Sequence, residues 1–283
     1  MTALEPSAIV EHGPRRPWSL VIGLIVVTTS VLVAVLGPFL VQHDPTAFVS
    51  SDAFIPSGPI AWLGTDYLGR DLLSRLIAGT RITLAMAFAA TFFAHILGDT
   101  LGLLAAIRGG IADAFISRLV DVLLSLPKII VGLVVVAALG SSISILIAVA
   151  GIVYASGVFR VARALGADIV VMDFVRAARA RGERLPWLLF GEVLPNVALP
   201  LATDFALRLS FAILFMSSLS FLGLGIQPPN ADWGGLVREN LSGLSAGSFA
   251  PIFPALAIAA VTISLNLIVD SLGDRRYRDT RAL

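Results

Sequence analysis

The 283-residue chain contains no cysteine, which excludes disulfides, thiolate metal sites, iron–sulfur clusters and cysteine nucleophiles. Charge is scarce: Asp, Glu, Lys and Arg make up 14% of the chain, against about a quarter in soluble domains. Lysine is nearly missing, since Lys128 stands alone among the 20 basic residues and the rest are arginines. With 19 acidic residues the balance is +1, so nothing draws the chain to nucleic acid. His12, His43 and His95 are too scattered for a metal-ligand cluster at local spacing. A phosphate-binding loop G-x-x-x-x-G-K-[ST] needs a Gly-Lys pair, and Lys128 follows a proline. The chain therefore supplies no ATPase of its own. A hydrolase nucleophile elbow is not expected either, and catalytic, metal and cofactor sites are all read as none.

What is present is apolar bulk. Hydrophobic residues reach 57% and mean hydropathy is +0.91, the composition of an integral membrane protein. A spanning helix needs about 20 mostly apolar residues. Runs of that kind lie at 17–42, 82–107, 119–139, 142–159, 197–225 and 249–269. They are continuously apolar, not alternating, so six transmembrane helices are predicted instead of barrel strands. The first run is too long for a secretory signal and is read as a retained helix.

Arginine placement predicts the orientation. With the N-terminus inside, inner segments hold 14 of the 20 basic residues, including Arg15 and Arg16. Outer segments hold only Arg70, Arg75, Arg81 and Arg238. Both termini are thus expected in the cytoplasm. The chain divides into a tail (1–16), a first helix (17–42), an external loop with an interfacial helix (43–81), a five-helix core (82–272) and a C-terminal tail (273–283). The core includes an internal loop, 160–196, carrying six arginines.

Within that loop, DFVRAARARGERLPWLLFGEVLPN runs from Asp173 to Asn196. Ala177, Ala178 and Ala180 favour helix, Gly182 permits a tight turn, and Pro186 and Pro195 punctuate the remainder. Two short helices lying flat at the cytosolic face are predicted. Charge alone fits a basic loop that merely obeys the positive-inside rule; the small residues flanked by arginines also fit a groove on a soluble partner. The spacing Ala177-Ala178, three residues, Gly182, then Leu194-Pro195 twelve residues later resembles the coupling loop of ATP-binding-cassette importer permeases. Arg176 stands where that family carries a glutamate, leaving Glu183 and Arg184 as replacement contacts.

Two more segments carry the resemblance. WLGTDYLGRDLLSR (62–75) has turn formers at Asp66 and Gly69 and a helix cap at Asp71, with Arg75 one turn on. SFLGLGIQPPNADWGG (220–235) ends a span in glycines before a Pro-Pro turn. Both resemble segments of the dipeptide/oligopeptide/nickel branch, and the pairs Gly273-Asp274 and Arg278-Asp279 fit its usual ending. The long external loop is similar to that of a C-type subunit. The resemblance implies an all-α type I ABC importer permease in the bacterial inner membrane. It would form a heterodimer with a homologous permease, with two ATPase subunits and an extracytoplasmic solute-binding protein as partners. Coupling then falls to Arg176, Ala177, Ala178, Arg181, Gly182, Glu183, Leu194 and Pro195. Peptides are the expected solute, with nickel complexes, glutathione and opines as alternatives within the branch. An autonomous secondary transporter or channel, or a receptor signalling through 160–196, are the readings outside it.

Charges at membrane depth are costly and mark function or packing. Asp204 and Arg208 are spaced i,i+4, as are His95 and Asp99, and Lys128 lies on the third run. Interior pairs of this kind stabilise helix packing; alternatively, Lys128, Asp204 and Arg208 line a solute path.

Overall fold

The computed structural model describes residues 18–281, with side chains at all of these except 38, 40 and 273–281. The predicted tail 1–16 with Arg15 and Arg16, and the side chains of Gly273-Asp274 and Arg278-Asp279, lie outside the described residues.

The described chain is helical: α1 (Trp18–Leu40), α2 (Leu72–Arg108), α3 (Gly110–Ser125), α4 (Lys128–Leu139), α5 (Ile143–Val170), α6 (Asp173–Ala180), α7 (Leu185–Trp187), α8 (Leu194–Phe221), α9 (Trp233–Glu239) and α10 (Ile252–Arg281). A π-helical turn, Leu188–Val193, joins α7 to α8, so Leu185–Phe221 runs as one helix of 37 residues. Among the described residues only two isolated β-bridges occur, Phe48 with Arg70 and Thr65 with Asp71. Five helices are long and apolar enough to cross a membrane, and a sixth crossing exists if α3 and α4 count as one.

That pair corrects the continuous third span predicted at 119–139. α3 and α4 meet at 88°. Pro127 has no N–H to donate and forces extended backbone on its predecessor; Leu126 accordingly sits at φ −91°, ψ 137°. The 12 residues of α4 rise only about 18 Å, too short to cross an apolar layer of about 30 Å alone.

The central packing is α2 against α5. Gly98 and Gly102 lie one turn apart on α2, and both press on α5. A Cβ at Gly98 would stand 2.6 Å from the Val158 Cβ, and one at Gly102 2.6 Å from the Phe159 carbonyl oxygen. Small residues at this spacing let helix backbones approach inside a bilayer. The main core then gathers Ala87, Ala90, Val158, Ile213, Leu219 and Trp233 from α2, α5, α8 and α9. α1 sits at the edge of the bundle with most of its apolar surface exposed.

Candidate functional site

At one end of the bundle, α6 packs against the ends of α2 and α5. Val175 and Ala178 are fully buried, in a cluster with Leu103, Ala162, Leu189 and Val193. Arg179 donates to the carbonyl of Ile107 at 2.8 Å, satisfying one of the carbonyls left open at the end of α2. The opposite face of α6 is open: Phe174, Arg176, Ala177 and Arg181 are exposed. Arg176 lies 3.7 Å from Asp173. Arg181 lies 3.7 Å from both Glu183 and Glu192. Gly182 makes the turn at φ +81°, and a Cβ there would touch nothing; backbone conformation, not space, is what requires glycine. The second flat helix expected in this loop is instead the start of the 37-residue helix, with Leu194 half-buried and Pro195 exposed on its first α-helical turn.

In the middle of the bundle the two predicted i,i+4 pairs join into one chain. His95 Nδ1 lies 3.0 Å from Asp99 and His95 Nε2 lies 3.8 Å from Asp204. Asp204 in turn accepts from Arg208 Nε at 3.2 Å. The Arg208 guanidinium lies over Gly157 of α5, where a Cβ would stand 2.7 Å from Nη1. Lys128, the first residue of α4, holds its ammonium 4.9 Å from the Tyr154 ring centroid, three residues before Gly157. The Tyr154 hydroxyl donates to the Phe211 carbonyl at 3.0 Å. On the α6 side of this chain a cavity of about 500 Å³ opens between α2 and α8, lined by His95, Asp99, Phe92, Phe190 and Phe205 among others.

At the other end, the segment 62–75 buries its charged residues Asp66, Arg70, Asp71 and Arg75, while Trp62 and Leu68 stay exposed. Asp66 accepts from the amides of Leu68 and Arg70 and from Arg70 Nε at 2.7 Å. Arg75 reaches Asp66 at 3.3 Å and donates to Glu239 at 2.9 Å; Arg70 lies 3.5 Å from the same Glu239 oxygen. Asp71 caps α2 through the Ser74 amide, as its position predicts. Arg75, however, pairs with Asp66 and Glu239 instead of Asp71. Leu72 is fully buried and opens α2 itself, so the interfacial helix expected within 43–81 is the first stretch of a spanning helix. The two loops, 43–71 and 222–251, are tied again where the Tyr67 amide donates to Asn240 at 3.0 Å. Trp233 donates from its amide to Thr83 at 3.0 Å. Asp232 caps α9 through the Gly234 amide, and burial pushes its carboxyl up to about 6. Burial also raises the Glu239 carboxyl, against the lowering effect of Arg75 and Arg70.

Sequence reasoning paired residues within single helices and so missed the His95–Asp204 and Arg75–Glu239 contacts, which need the fold. It also passed over Gly243-Leu244-Ser245-Ala246-Gly247, which does match G-x-S-x-G. Ser245 lies exposed in a 3₁₀ turn, Leu241–Ala246. The strand-to-helix elbow that gives the pattern its meaning is absent there.

These features define a multi-pass membrane protein with a small-residue helix open at one end and a buried polar chain at mid-depth. Residues 98–281 match the family described as binding-protein-dependent transport system inner membrane component. The chain is 33% identical over 256 residues to the dipeptide transport system permease protein DppC of Alkalihalophilus pseudofirmus, covering 90% of this chain and 84% of the relative. It is 34% identical over 246 residues to the glutathione transport system permease protein GsiD of Pectobacterium atrosepticum, covering 86% and 81%. A probable D,D-dipeptide transport system permease protein DdpC of Escherichia coli is 30% identical over 269 residues, covering 93% and 90%. The chain belongs to the binding-protein-dependent transport system inner membrane component family. It has the type I importer permease fold and is a permease subunit of an ATP-binding-cassette importer, a family whose permeases are not catalytic.

Proposed function

We propose that this subunit carries short peptides across the bacterial inner membrane, driven by a separate ATPase pair that seats on α6. The observation that carries the coupling is the two-sidedness of α6. Val175 and Ala178 fix it to the bundle while Arg176, Ala177 and Arg181 stay open to a partner. Glu183 and Gly182 shape the adjoining turn, and Leu194 and Pro195 lead out of it into α8. With α6 on the cytoplasmic side, both termini are cytoplasmic and the Asp66–Glu239 end faces outward, towards a solute-binding protein. A homologous permease completes the pathway. Peptide as cargo is supported by relatives whose names specify dipeptides, D,D-dipeptides, di/tripeptides and glutathione.

Gly182→Val tests the coupling. A side chain at Gly182 meets no atom, so the cost is confined to a left-handed backbone, about 1–2 kcal/mol. The variant is expected to reach the membrane in normal amount yet lose binding-protein-dependent uptake and co-purification of the ATPase. Undiminished uptake would instead favour a receptor or assembly role for this loop.

A further inference from the structure

Lys128 and Arg208 approach the same face of α5, the one at Tyr154 and the other at Gly157. Their depths agree. Lys128 opens the 12-residue α4, about 18 Å from its far end, and Arg208 precedes the end of α8 at Phe221 by 13 residues, about 20 Å. Both therefore lie near the middle of an apolar layer about 30 Å thick. Their partners differ. Arg208 is held by Asp204, which His95 also approaches. Lys128 has only the Tyr154 ring, and no carboxylate pairs with it among the described residues. The Tyr154 hydroxyl is committed to the Phe211 carbonyl, so it does not compete for an incoming anion. Pro127 offers no side-chain cap to α4, which leaves the positive end of that helix beside the ammonium.

An ammonium held at this depth without a counter-ion favours an anion that arrives from elsewhere. Resting on the import reading above, we propose that Lys128 and Arg208 form a two-cation seat for the carboxylate of the passing peptide. Asp204 and His95 are positioning residues that hold Arg208, and they do not receive the peptide's amine. Asp204 is already neutralised by Arg208, whereas Lys128 leaves the pair of cations with a net positive charge that a carboxylate completes. Dipeptides and glutathione share that group, so the seat serves either.

The test uses the whole importer in proteoliposomes, with permease pair, ATPase subunits and binding protein, and two probes, radiolabelled alanyl-alanine and radiolabelled glutathione. Lys128→Gln is expected to lower maximal uptake about tenfold, the scale of one charge-assisted hydrogen bond. Binding-protein-stimulated ATP hydrolysis should persist, and Lys128→Arg should keep most of the uptake. Wild-type uptake in Lys128→Gln, or equal loss in Lys128→Arg, would overturn the seat while leaving the importer reading intact. Loss of the second permease from purified Lys128→Gln would also overturn it, because the cation would then be pairing with that subunit. If wild-type vesicles accumulate neither probe, the peptide-import reading fails, and the seat with it.

Discussion

Burial decides how Asp232 behaves. Its carboxyl is pushed up to about 6, while an unfolded aspartate titrates near about 3.9. The folded chain thus binds this proton more tightly, and the stability it brings is complete below about 4 and lost as pH rises through about 6. Asp232→Asn keeps a capping oxygen for Gly234 without the buried charge. In detergent it should raise the unfolding midpoint at pH 7.5 and flatten the fall between pH 4 and 6; a wild-type midpoint that does not fall over that interval refutes the assignment. Burial raises Glu239 in the same direction, but its carboxylate is paired with two buried cations. Glu239→Gln leaves the two buried cations Arg75 and Arg70 with Asp66 as their remaining shared carboxylate, a loss of about 3–5 kcal/mol, visible as a markedly lower midpoint or yield. The motif 62–75 and the cap at Asp71 were legible as local signals in the sequence. Glu239 was not, because it lies 164 residues from Arg75 and only the closing of two loops brings them together.

Helices were legible wherever apolar runs were long, and α1, α2, α5, α8 and α10 all overlap predicted spans. The break in the third run was not, although Pro127 was in plain view: apolarity alone does not distinguish a straight helix from two at 88°. The loop after α5 divided in the same way. Its small-residue helix and the turn at Gly182 were readable, whereas the continuity of 185–221 was hidden by its prolines: Pro186 stands in the first turn, where its missing N–H costs nothing, Pro195 directly follows the π-helical turn Leu188–Val193, and Pro200 lies inside α8. The α2–α5 contact was also unread, since Gly98 and Gly102 resemble any glycines in an apolar stretch. Gly102→Leu drives a side chain into the Phe159 carbonyl and Ala162. It should abolish stable accumulation of the protein, while the same change at Gly109, where a Cβ touches nothing, costs only backbone strain. Comparable levels for the two variants would show that the close approach is dispensable.

The absence of cysteine makes the whole molecule mappable with single introduced thiols. With the proposed orientation, a membrane-impermeant maleimide in intact cells should label Trp62→Cys, at an exposed position of the loop before α2, and should label Phe174→Cys only after the membrane is opened. The opposite pattern would invert the proposed orientation. α2 spans both regions. Its first turn stands in the Asp66–Arg75–Glu239 network, and its last carbonyls receive Arg179 from α6. At 37 residues it is a rod about 55 Å long, with no proline to bend it. Such a rod is suited to act as a lever: under the proposed coupling, a push delivered at α6 would reach the opposite end of the bundle as displacement instead of being absorbed along the way. Spin labels at its two ends should keep a fixed separation in every nucleotide state, while their distances to α4, hinged at Pro127, change.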